Sequence, residues 1–233
     1  MRRLTSLLLV EERLFEAEYF ALLLKDKHSL ELQFHLNAFL SAARSVTFLI
    51  QKELRHVEGF EEFWTTIRDS LRQDETAKFF LELRNFSQKK GRVSLVGYGG
   101  IAKPSNYQFP KSLGDEPEML HFFSAGDNSV PDEISNVDIV VACLRHTGKL
   151  AALILNTMDR FPYDTCPSRA CSIEGAQQLG WELADFLEAS GFPRDWMTGS
   201  KGLSIESAYE IVAKNFDAVD RNAIDSIAEY STL

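Results

Sequence analysis

In the stretch LELRNFSQKKG, residues 81 to 91, an arginine and an asparagine stand side by side and a lysine follows within about one further helical turn. Arg84, Asn85 and Lys89 are of the types that hold a phosphate or an RNA backbone. The arginine and lysine supply positive donors and the asparagine orients them, which is what charge developing on a phosphoryl group requires. An acid-base group is missing from the set. A lysine titrates near ~10.4 when unperturbed and is a poor base at neutral pH unless that value is strongly depressed. The three residues therefore read as an anion- or RNA-binding set without the means to cleave. They also suit an ordinary helix end, with Arg84 and Asn85 satisfying carbonyls and Lys89, Lys90 and Arg92 complementing the helix dipole.

Other spacings invite metal chemistry. Cys143-x-x-His146 with Cys166-x4-Cys171 is a chemically complete zinc set. Yet Cys143 belongs to an apolar helical run, where cysteine acts as a small hydrophobe, and the loop spacing is wider than the common structural pattern. Glu53-x-x-His56 and Glu118-x-x-His121 imitate the paired motif of di-iron bundles, with Glu11 and Glu18 as possible completing carboxylates. Glu118 lies beside Gly and Pro punctuation and His56 at a helix end, so both read as solvated surface. GYGG at 97 to 100 follows an apolar run as a phosphate loop would, but Lys103-Pro104 prevents a helix from opening behind it. The expectation is no metal and no cofactor.

The elements that must position these residues are helical. Leu7, Val10, Leu14, Ala17, Ala21 and Leu24 repeat at steps of three and four, and a second stripe follows at Leu32, Leu36, Phe39, Ala43, Val46 and Ile50. Beside the second stripe a narrow face of Ala38, Ala42 and Ser45 lets a neighbouring helix come close. A third stretch from Glu58 to Phe86 breaks near Gln73-Asp74. Residues 91 to 135, rich in Gly and Pro, read as an irregular insertion outside the helical core, with a short strand at 92 to 96. A fourth long helix runs from Val140 through Ala151, Ile154 and Met158 to Phe161, capped by SNVD, and shorter helices are expected at 172 to 190 and 204 to 216. The polar tail after Phe216 shows no clear element.

The fold class predicted is all-α: a four-helix bundle over residues 1 to 161 interrupted by the 91 to 135 insertion, with a C-terminal helical extension, 162 to 233, packed on it. The chain has 34 acidic against 25 basic residues, a formal charge of −9, so any nucleic-acid contact needs a local cationic patch. Three cysteines and a start that runs into glutamates point to a cytoplasmic protein, and the apolar runs are too short to suggest a membrane partner.

FHLNAFLSAARSVTFLIQKEL followed by ELRNFSQKKG resembles the HEPN superfamily, over residues 5 to 90 and, past the insertion, 137 to 161. That resemblance implies a four-helix bundle, often homodimeric, and in many members a metal-independent endoribonuclease of toxin or defence systems. Arg84 and Asn85 match the family's Arg-polar pair, whereas Lys89 stands in the place of its histidine. The reading that follows is a homodimeric interaction module or an anion-, nucleotide- or RNA-binding module. The alternative is an endoribonuclease that uses Arg84 and Asn85 with a histidine from elsewhere, His35 or His146.

Overall fold

The structure, a computed structural model, describes residues 4, 6–25, 27, 29–89, 91–93, 95–97, 107–108, 130–134, 137–197 and 203–233. Its described residues are overwhelmingly helical. The first helix, α1 (Leu8–Leu23), lies along α2 (Ser29–Leu54), and the whole of each expected apolar stripe is buried between them or beneath them. Fully burying a leucine, valine or phenylalanine stabilises by about 1.5–3 kcal/mol, so these two stripes alone fix how the helices face. The third stretch is two helices, α3 (Phe60–Gln73) and α4 (Glu75–Lys89), and the break falls at Asp74, as expected. Asp74 leaves helical geometry and accepts the Ala77 N–H at 2.9 Å, starting α4 as an N-cap.

The central element is α5 (Ile139–Arg160), which packs against α1, α2 and a late C-terminal helix. Asp138 caps it by accepting from the Val140 N–H. Ala151, Ile154 and Met158 are buried, but Val140 is only partly so and Ile139 takes the fully buried place, a shift of one residue at the helix start. By length and mean hydropathy α5 is long and apolar enough to cross a membrane, yet more than half of it is buried inside the protein, as in the central helix of a folded domain.

After α5 the chain makes single turns α6 (Pro162–Thr165) and α7 (Pro167–Ala170), then α8 (Ile173–Leu179) and α9 (Leu183–Ala189). The expected helix over 172 to 190 is thus two, because Gly180 takes a left-handed φ of 65° and Glu182 with Asp185 forms a new capping box. With α10 (Ile205–Ala213) these pieces bury a small separate cluster that includes Leu179, Phe186, Tyr209 and Val212. The tail past Phe216 is ordered, contrary to the sequence reading: α11 (Arg221–Ala228) and a 3-10 turn (Glu229–Thr232) return to α5, and Ile224 and Ile227 join the main cluster. Gly148 makes the approach possible, since a Cβ there would lie 2.3 Å from the Ser231 nitrogen.

The ends of the insertion also depart from expectation. Val93, Leu95, Val130 and Ile134 are buried in the main cluster rather than outside it. Gln33 on α2 bonds both backbone groups of Val93, at 2.7 and 3.2 Å, and Arg145 donates to the Glu133 carbonyl at 2.7 Å. The short strand lies at Val96–Gly97, paired antiparallel with Tyr107–Gln108. Glu118, His121, most of GYGG and the body of the expected flap lie outside the described residues.

Candidate functional site

The step-of-four pattern that buries one face of each helix leaves the adjacent face to line a cavity of about 770 Å³. From α2 come Leu40, Ala43, Arg44, Thr47 and Gln51; from α3, Trp64, Arg68, Leu71 and Arg72; from α4, Ala77, Lys78, Phe80, Leu81, Glu82 and Asn85; from α5, His146 and Leu150. One wall is apolar and aromatic. Toward solvent the lining is cationic, with Arg44, Arg72 and Lys78 exposed and Arg68 half-buried, against the carboxylate of Glu82, the one acidic side chain of the lining among the described residues.

The cations are held by light bonds. Arg44 Nη1 donates to Thr47 Oγ1 at 2.7 Å and Arg68 Nη2 to Thr65 Oγ1 at 3.3 Å, while Arg72 Nη1 meets Asp69 Oδ1 at 3.1 Å. Arg68 Nε is buried without a hydrogen-bond partner among the described residues. Partial desolvation, with the neighbouring Arg84 guanidinium second, lowers the pKa of Arg44. Two positive charges that feel one another favour an anion close to both.

At the inner wall His146 is only 7% exposed. Its ring stacks on Phe80 with centroids 4.4 Å apart and stands edge-on to Phe39 at 6.4 Å. Burial, opposed by the Asp74 and Glu133 charges and reinforced by Lys149, pushes its pKa down to about 4, so the ring is neutral at neutral pH. Its Nδ1 is buried with no hydrogen-bond partner among the described residues. Lys149, one turn along α5, bridges Asp74 at 3.0 Å and Glu133 at 2.8 Å, and Thr76 donates to Glu133 at 2.7 Å. Burial works to lower Lys149, but the bonds to Glu133 and Asp74 outweigh it and its pKa is raised.

Of the residues singled out in the sequence, Asn85 lines the cavity and Arg84 lies beside Arg44, donating from Nη1 to Asn85 Oδ1 at 3.2 Å. Arg84 Nε is a further buried nitrogen without a partner among the described residues. Lys89 is exposed near the end of α4, one turn beyond the last cavity residue of that helix, and does not line the cavity. His146 lines it, whereas His35 stacks on Phe20 of α1 at 6.1 Å. Arg44, Arg68, Arg72 and Lys78 escaped the sequence reading, although Arg68 and Arg72 stand at steps of four from Trp64.

No group of three or more His, Cys, Asp or Glu among the described residues converges as metal ligands. Cys143 and Cys171 are buried free thiols and Cys166 is half-buried. Glu11 accepts the Asp220 N–H and Glu18 accepts the Tyr230 hydroxyl at 2.8 Å, so both serve to dock the C-terminal segment.

Residues 23–98 match the model of the family described as bacteriophage lambda protein ea47. No similar curated protein and no similar solved structure was found. The matched stretch, about a third of the chain, is similar to that family and contains α2, α3 and α4, the three helices that carry the cavity's cationic residues among the described ones.

Proposed function

We propose that this protein binds phosphate-bearing ligands, a nucleotide or RNA, at the α2–α3–α4–α5 cavity without cleaving them. The observation that carries the reading is the convergence of Arg44, Arg68, Arg72 and Lys78 on one cavity in a chain whose net charge is −9. Such a local patch is what phosphate recognition needs on an acidic protein. On this reading the chain is HEPN-like, keeps Arg84 and Asn85 for anion contact and lacks the histidine of the nucleases. It acts as a homodimer. The exposed Phe34 and Phe48 of α2, 63% and 58% exposed and seven residues either side of Ser41, support a partner on that helix.

One observation favours the nuclease alternative: Asn85 and His146 line the same cavity. A neutral imidazole can accept a proton, but with a pKa of about 4 it is a weak base for a 2'-hydroxyl. The test is a labelled single-stranded RNA incubated with chelator and wild type, Arg84→Ala or Lys89→His, with inorganic tripolyphosphate binding measured in parallel by calorimetry. We expect tripolyphosphate binding that Arg44→Ala weakens at least tenfold, and uncut RNA with wild type. RNA cutting by wild type that Arg84→Ala abolishes would replace this reading with the nuclease one.

A further inference from the structure

The cavity is two-zoned, and its zones ask for different parts of one ligand. Near solvent stand the cations, with the buried Arg68 Nε still owed an acceptor. At the inner wall Phe80 stacks on His146, Trp64 and Leu150 add apolar lining, and the buried His146 Nδ1 is owed a partner of its own. A buried polar nitrogen left unpaired costs about 1–3 kcal/mol, and a ligand that brings a hydrogen-bonding group to either one as it seats recovers that cost. An inorganic anion serves only the outer zone. An aliphatic tail serves the inner one but leaves Nδ1 unpaired. A flat heterocycle with hydrogen-bonding edges, attached to phosphates, serves both.

Resting on the phosphate-binding reading above, we propose that the ligand is a single nucleoside polyphosphate, its base edge at His146 Nδ1 and its phosphates on Arg44, Arg68 and Arg72. The size agrees: about 770 Å³ lies within the range of ~300–1,000 Å³ typical of small-molecule pockets. A polymer is disfavoured, because a nucleic-acid track needs positive charge continuing beyond the mouth, and here Asp69 already pairs Arg72 while Glu82 faces the lining. The neutral imidazole suits a base edge, since either of its nitrogens can carry the single proton and Nδ1 can act as donor or acceptor accordingly.

Isothermal calorimetry on the full chain with ATP, GTP, CTP, UTP, inorganic tripolyphosphate and a ten-nucleotide single-stranded RNA separates the outcomes. We expect at least one nucleoside triphosphate to bind one-to-one and at least tenfold tighter than tripolyphosphate, and His146→Leu to remove that advantage. If His146→Leu does not fold, the wild-type imidazole NMR signals of His146 take its place. They should shift with that nucleotide and stay still with tripolyphosphate. Triphosphates no tighter than tripolyphosphate overturn the base subsite and leave the anion reading standing. Tighter binding of the RNA than of any mononucleotide overturns it in favour of a polymer. No binding of any of these, tripolyphosphate included, overturns the anion reading itself.

Discussion

His146 makes the stability of this protein sensitive to mild acid, and the size of the effect follows from its burial. The ring is held neutral inside the protein, with a pKa pushed from the ordinary 6.5 down to about 4 chiefly by desolvation, while Asp74, Lys149 and Glu133 are the charged groups that face it. A histidine whose folded pKa is depressed takes up its proton first in the unfolded chain. Its contribution to stability is therefore whole above about pH 7 and drains away as the pH falls from 6.5 toward 4. At ~1.36 kcal/mol per pH unit the full loss is about 3 kcal/mol, of which about 2 kcal/mol is gone by pH 5. Asp74 and Glu133, whose pKa values are lowered despite burial by their hydrogen bonds, lose their contribution at lower pH still, and Glu11 and Asp138, raised by burial, act in the opposite sense. The clean quantity is thus a difference: urea unfolding at pH 7.5 and 5.0 for wild type and for His146→Gln. Wild type should lose about 2 kcal/mol more than the variant over that interval. Equal losses, within about 0.5 kcal/mol, would mean that the imidazole is not buried in its neutral form.

Two further outcomes test the packing. Gly148→Ala places a methyl 2.3 Å from the Ser231 nitrogen and 2.9 Å from the Tyr230 carbonyl carbon, so the gain in helix propensity of about 1 kcal/mol should be outweighed by overpacking of about 1–3 kcal/mol. Hydrogen exchange should then show residues 221 to 232 losing protection before α5 does, and unchanged protection would refute the close contact. Burial raises the thiol of Cys143 well above its usual value and that of Cys171 to about 12, so a thiol reagent at neutral pH should label no more than Cys166 in the native protein and all three cysteines after denaturation.

The long helices were legible because each carries its burial in its own spacing. A stripe such as Leu36, Phe39, Ala43, Val46 and Ile50 has one way to leave water, and a polar Asp74 between two stripes has one helix start to cap. The order of the tail was not legible, because it rests on partners far away in the chain. Ile224 and Ile227 are too sparse to form a stripe, and what holds them is the notch at Gly148 together with Glu11 accepting from Asp220, Glu18 from Tyr230 and Arg221 meeting Asp159 at 2.7 Å. The Gly180 break was hidden for the opposite reason: apolar periodicity continues through it, and only the left-handed φ ends α8.

The site divided along the same line. Asn85 could be picked from a local motif, whereas Arg44, Arg68, Arg72 and Lys78 each look, in sequence, like the solvated face of an amphipathic helix. Only the meeting of α2, α3 and α4, closed by α5, brings these three faces to one cavity. Their convergence on one cavity, with buried unpaired donors among them, then distinguishes them from a solvated surface. The chain has nine more acidic than basic residues, so a carboxylate was available for every cation if stability alone were at stake. Some cations elsewhere are paired in this way, with Arg194 between Asp185 and Glu188 and Arg221 beside Asp159 and Asp225. Around the cavity Arg72 has Asp69, but Arg44, Arg68, Lys78 and the adjacent Arg84 have no carboxylate within ion-pair distance among the described residues, and two of these arginines keep a buried, unpaired Nε. Clustered like charge and unsatisfied donors cost the fold free energy. A ligand that brings its own negative charge returns it, and this is why the proposed anion site is the cavity rather than the exposed Lys89.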